Sequence, residues 1–117
     1  MAELVVEGDE VVLRLSEAEK IEAVHGDLRA PLSSVRGVEV LDDAHRPADL
    51  AGFRIGARIP GFVEVATVTR ANKKIFAAVH HGTPRGVRVR LEGTSWDEWI
   101  VGCAAPEAVA ASLQREG

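Results

Sequence analysis

Apolar and polar residues alternate at a period of two along most of this chain, in short runs separated by turn formers, and that pattern predicts a mainly β domain. Leu4-Val5-Val6 and Val11-Val12-Leu13 flank Glu7-Gly8-Asp9-Glu10 and predict an opening hairpin with an acidic turn. Leu28-Arg29-Ala30 reads as a short strand that ends at Pro31, because proline offers a ladder no N–H and restricts the residue before it. Val35 to Leu41 resumes a strand, with Val38 and Val40 on one face and Glu39 on the other. Further runs, Phe62 to Thr69 and Ile75 to Val79, surround the turn Arg70-Ala71-Asn72-Lys73. After His80-His81-Gly82-Thr83-Pro84, Val87, Val89 and Leu91 alternate with Arg88, Arg90 and Glu92. Gly93-Thr94-Ser95 turns the chain, and Trp99, Val101 and Cys103 resume the rhythm.

The period becomes helical in two places. Ser16 stands three residues before Glu19, a capping-box spacing, and Ala18, Ile21 and Val24 share one helical face until Gly26, so a short helix is expected near 16–25. Pro106 and Glu107 suit the first turn of a second helix near 105–115, whose stripe is Pro106, Val109, Ala110 and Leu113. That helix is too short to stand alone and must pack on a sheet. It also follows Ala104-Ala105, where a polar cap would contribute about 1 kcal/mol. Between Asp42 and Gly61 two prolines, three glycines and no clear period predict a long loop at about 42–60, although Phe53, Ile55 and Ile59 alternate in part with arginines. Short strands at regular spacing favour two packed antiparallel sheets in a partly open barrel over a parallel α/β sheet.

Three stretches carry a family resemblance: Arg29-Ala30-Pro31-Leu32-Ser33-Ser34-Val35-Arg36-Gly37-Val38, the hairpin from Gly61 to Val79, and the strand, turn, strand and helix from Val87 to Leu113. Over roughly residues 27–114 the chain resembles the bacterial pleckstrin-homology-like (PH-like) domains. The resemblance implies two nearly orthogonal antiparallel sheets, a terminal helix plugging one open end, and a binding or scaffolding role. Phosphoinositide-binding relatives use a Lys/Arg cluster in the first hairpin turn. Here that turn is Glu7-Gly8-Asp9-Glu10, which argues against phosphoinositide binding by that route.

Composition narrows the classes further. A chain of 117 residues suits one domain spanning 1–117, and 46% hydrophobic with 27% charged residues is ordinary for a globular protein. Fourteen basic against eighteen acidic side chains give a net charge of −4, which opposes attraction to nucleic acid. Cys103 is the single cysteine, so no intrachain disulfide can form. No apolar run approaches the roughly 20 residues of a membrane helix, and the start lacks the basic flank of a signal peptide, so a cytoplasmic location without membrane insertion is expected. Eleven arginines against three lysines suggest a GC-rich bacterial genome.

Candidate chemistry is sparse. His80 and His81, with His45, Asp42 and Asp43, are the residues a metal site would use, but neighbours on a strand face opposite ways and no H-x-x-x-H or C-x-x-C spacing is present. Ser33-Ser34 lacks a nucleophile elbow, Cys103 suits a small apolar position, and Gly52, Gly56 and Gly61 fit no phosphate-binding spacing. No catalytic residue, metal or cofactor is expected. His45, Arg46, Arg54 and Arg58 give the long loop a basic character suited to an anion or an acidic peptide. Trp99 belongs to the core, whereas Trp96 in a turn, with Arg88 and Arg90 nearby, is the candidate for an exposed protein interface. The expected function is therefore a non-enzymatic binding or scaffold module acting through a protein partner or self-association. The alternative is a small anion- or ligand-binding domain using the arginine-bearing loop 45–58, and a remote third is a metal-dependent or hydrolytic enzyme centred on His80 and His81.

Overall fold

The computed structural model describes residues 3–17, 19, 26–44, 53–59, 63–70, 73–80 and 84–116, and among them nine strands and a C-terminal helix form the fold. The first sheet is antiparallel and holds β1 (Glu3–Glu7), β2 (Glu10–Arg14) and β3 (Leu28–Pro31) in that order. Gly8, at φ +63, opens the two-residue turn between β1 and β2, a backbone position open to glycine at little cost. Past Pro31 a 3-10 turn at Leu32–Ser34 carries the chain into the second sheet. The Ser34 hydroxyl donates to the Pro31 carbonyl at 2.6 Å and fastens this bend.

The second sheet has six strands: β4 (Val35–Leu41), β5 (Phe53–Ile59), β6 (Val63–Arg70), β7 (Lys73–His80), β8 (Gly86–Leu91) and β9 (Glu98–Gly102). Their spatial order is β4-β8-β9-β7-β6-β5. Helix α1 (Pro106–Glu116) packs against β4, β8 and β1, so it lies where an outer strand of each sheet comes near the other. Ala105 accepts from the N–H groups of Ala108 and Val109 at 3.1 and 3.2 Å, and its methyl side chain supplies no cap.

The core is sandwiched between the sheets. Val11, Leu13, Leu28 and Ala30 of the small sheet meet Phe76, Ala78, Val87, Val89, Trp99 and Val101 of the large one, with Leu113 of α1. A second cluster of Val68, Ile75, Ala77, Val79 and Ile100, with Ala44, lies on the large sheet's opposite face. Strands β7 and β9 are therefore buried on both faces, as a continuous rather than alternating apolar sequence demands.

The mainly β, two-sheet architecture agrees with the alternation in the sequence, and the sheets are not closed into a barrel. Two expectations need correction. The second sheet is mixed, because β7 and β9 run parallel, with Phe76 opposite Trp99. The segment expected as a loop at about 42–60 contains β5, which pairs with β6 through seven consecutive positions from Phe53↔Thr69 to Ile59↔Val63. The partial alternation of Phe53, Ile55 and Ile59 was the valid signal; Gly56 and the flanking prolines masked it. Most of the helix expected near 16–25 lies outside the described residues, but its capping box is present. Ser16 N donates to Glu19 Oε1 at 2.9 Å, and Glu19 N donates to Ser16 Oγ at 3.2 Å.

Candidate functional site

A sheet offers partners two kinds of surface, its faces and its unpaired edges, and strand order decides which residues reach each. Register places Glu39, Arg88, Glu98 and Arg90 on the face of the large sheet opposite the main core. There they form a charge ladder. Arg88 Nη1 lies 3.2 Å from Glu39 Oε1, Arg88 Nε 3.1 Å from Glu98 Oε1, Arg90 Nη2 3.5 Å from Glu39 Oε1, and Lys73 Nζ 3.8 Å from Glu98 Oε2. Arg88 Nε is an ion-pair contact without hydrogen-bond alignment. Each of these arginines thus meets at least one carboxylate, and the ladder spends much of its charge internally.

Trp96 corrects an expectation. The residue is 7% exposed, its ring packs edge-on to Phe76 at 5.6 Å between centroids, and it belongs to the main core, with Lys74 Nζ 4.4 Å from the ring centroid. The turn containing Trp96 folds inward because Asp97 Oδ2 accepts from Lys74 N at 2.8 Å and Thr94 Oγ1 accepts from Trp96 N at 2.9 Å. It therefore offers no exposed aromatic anchor beside Arg88 and Arg90.

His80 ends β7, and its Nε2 lies 2.8 Å from Glu19 Oε2. Glu19 is 1% exposed, whereas the His80 side chain is 26% exposed. Burial alone pushes the Glu19 carboxyl up, but hydrogen bonds from the Ser16 backbone, from His80 and with the Ser16 hydroxyl outweigh it and hold the group below its ordinary value. This pair escaped sequence reasoning. The capping box announced Glu19, but nothing along the chain links it to a histidine 61 positions away. His81 and His45 lie outside the described residues, and among the described residues no three His, Cys, Asp or Glu side chains are grouped to hold a metal ion.

Cys103 follows β9, half-buried, and burial pushes its thiol up, away from the thiolate that nucleophilic chemistry needs. Ser34 is buried and committed to Pro31, while Ser33 is exposed in the same turn and its carbonyl accepts from Arg36 Nη1 at 2.7 Å.

Of the basic quartet in the expected loop, His45 and Arg46 lie outside the described residues, whereas Arg54 and Arg58 belong to β5. Register sets Arg54 opposite Val68 and Arg58 opposite Glu64. Val68 in turn pairs with Ile75, Ile75 with Glu98, and Glu98 with Arg90, so one row across the sheet runs from Arg54 to Arg90.

The four sheet edges differ sharply. β4 is broken by a bulge between Val35 and Gly37 and packs on α1, and β1 also meets α1. β3 has four residues and ends in Pro31, which cannot donate. β5 has seven residues, no proline and no register shift, and among the described residues it pairs with β6 alone. No helix among the described residues is long and apolar enough to cross a membrane. No family model matches the chain, and neither does any curated protein or solved structure.

Proposed function

We propose that this domain is a non-enzymatic binding module that takes an extended segment of a partner protein onto the side of β5 with which no described strand pairs. The single observation carrying the reading is the contrast among the edges: three are bulged, helix-flanked or short, and β5 is long and regular. An edge strand supplies a row of backbone donors and acceptors to an added strand, and the sheet behind it keeps that row straight. The resemblance to PH-like domains supports the same assignment, since it implies a binding or scaffolding role in a bacterial cytoplasm. Of the residues of the anion-binding alternative, Arg54 and Arg58 belong to a strand, while His45 and Arg46 lie outside the described residues.

The test is selection of random displayed peptides on the immobilised full chain, followed by hydrogen exchange of the chain with and without each selected peptide. The expected result is slowed exchange confined to β5 and its neighbour β6. Peptides that protect only other strands, or a selection that enriches none, would refute the assignment.

A further inference from the structure

The strand that binds at β5 must also be the right one, and charge supplies the selection. This step rests on the reading just given. Arg54 and Arg58 are four positions apart on β5, and in a strand residues at even separations share a face. On that face the same end of the sheet carries Lys73 and Arg90, both well exposed, at the register positions next to and along the Arg54 row. Lys73 and Arg90 are already paired with Glu98 and Glu39, and Arg58 lies opposite Glu64 in the register, so the basic positions on the edge strand itself are Arg54 and Arg58.

A second copy of the chain is a poor occupant. Antiparallel pairing of β5 with itself over its full length centres on Gly56 and sets Arg54 opposite Arg58 twice, and like charges directly opposite are destabilising. The same two arginines would favour carboxylates in those positions. We infer that β5 recognises an extended acidic segment of a partner protein with two carboxylates four residues apart, about 13 Å along a strand. Backbone pairing supplies the docking, and the two arginines supply the choice of sequence.

The experiment uses the full chain and fluorescently labelled synthetic peptides in a Val/Thr background, read by anisotropy. One carries Glu at two positions four apart, one carries Lys there, one Gln, and a fourth is the Glu peptide with alternate backbone nitrogens methylated. The Glu peptide is expected to bind at least tenfold more tightly than the Lys peptide, with Gln between them, and the methylated Glu peptide is expected to lose binding. Arg54→Glu with Arg58→Glu should invert the order, and Arg54→Gln with Arg58→Gln should level it. Circular dichroism and thermal melting of each variant establish that it is folded.

Equal binding of Glu and Lys peptides overturns the charge selection, as does failure of every peptide to bind. Binding of the methylated peptide as tightly as its parent overturns strand addition. If the Gln and Lys peptides bind as well as the Glu peptide and slow exchange at β5, only the acidic preference falls and the edge remains the binding site. If selected peptides never protect β5, the edge itself is refuted.

Discussion

Glu19 and His80 join the start of the segment after β2 to the end of β7, and removing either should loosen the fold by an amount that depends on the other. Glu19→Ala deprives both Ser16 N and His80 Nε2 of their acceptor inside the protein. Hydrogen bonds to a charged group contribute about 1.5–3 kcal/mol each, but Ser16 and His80 are only part-buried and regain water, so a loss of about 3 kcal/mol is expected. His80→Ala leaves an ionised, buried carboxylate short of one donor and should cost about 2 kcal/mol. The double variant removes both the charge and its partner, so it should be less destabilised than the sum by about 1–2 kcal/mol. Urea unfolding of the four proteins at neutral pH measures the cycle. Additivity to within about 0.3 kcal/mol would refute the claim that the two side chains act together.

The acid limb gives an independent check of that pair. Glu19 is held below its ordinary value in the folded state, so its contribution is full above the unfolded value near 4.5 and is lost as pH falls through the folded value. The stability gap between the native protein and Glu19→Gln should therefore hold from neutral pH to about 4.5 and close below it. A gap that widens on acidification would mean the folded carboxyl is held up instead of down.

Other expectations concern single sites. A Cβ built on Gly86 would sit 2.2 Å from the Val101 carbonyl oxygen, so Gly86→Ala must push β8 from β9 and should cost about 2 kcal/mol in urea unfolding. Ala105→Asp supplies α1 with a capping side chain and should raise stability by about 1 kcal/mol, read as a higher urea midpoint at unchanged slope. Phe76→Ala empties a fully buried site in the main core and should cost about 3–5 kcal/mol, whereas Val40→Ala at an exposed position should change stability by less than about 1 kcal/mol.

Most of the strands were legible because one of their faces meets the core and the other meets water, which writes a period of two into the sequence. β4 and β8 show it plainly, with Val38 and Val89 inward and Glu39 and Arg88 outward. The parallel contact of β7 with β9 was not legible, since pairing partners are set by tertiary packing and local pattern carries no order. A hint lay in Ile75-Phe76-Ala77-Ala78-Val79 and Trp99-Ile100-Val101, whose unbroken apolarity signals burial on both faces, hence a central place in a sheet. Trp96 was misjudged because turns are generally exposed, and the two bonds that draw this turn inward come from Asp97 and Thr94, residues as common in solvated turns. The arginines of β5 were noticed for their charge and assigned to a loop because glycine and proline obscured the strand that holds them.

The position of β9 bears on how the protein comes into being on the ribosome. Without residues 98–102 the strand order of the large sheet divides into two pieces, β4 with β8 and β5 with β6 and β7. Each piece then presents an apolar margin, at β7 and at β8, that pairs with β9, so a chain lacking β9 leaves two strand edges open to aggregation. A chain truncated after Asp97 should therefore accumulate as insoluble protein, whereas one ending after the described helix should not. β9 acts as a keystone: cooperative closure of the six-stranded sheet waits on residues 98–102.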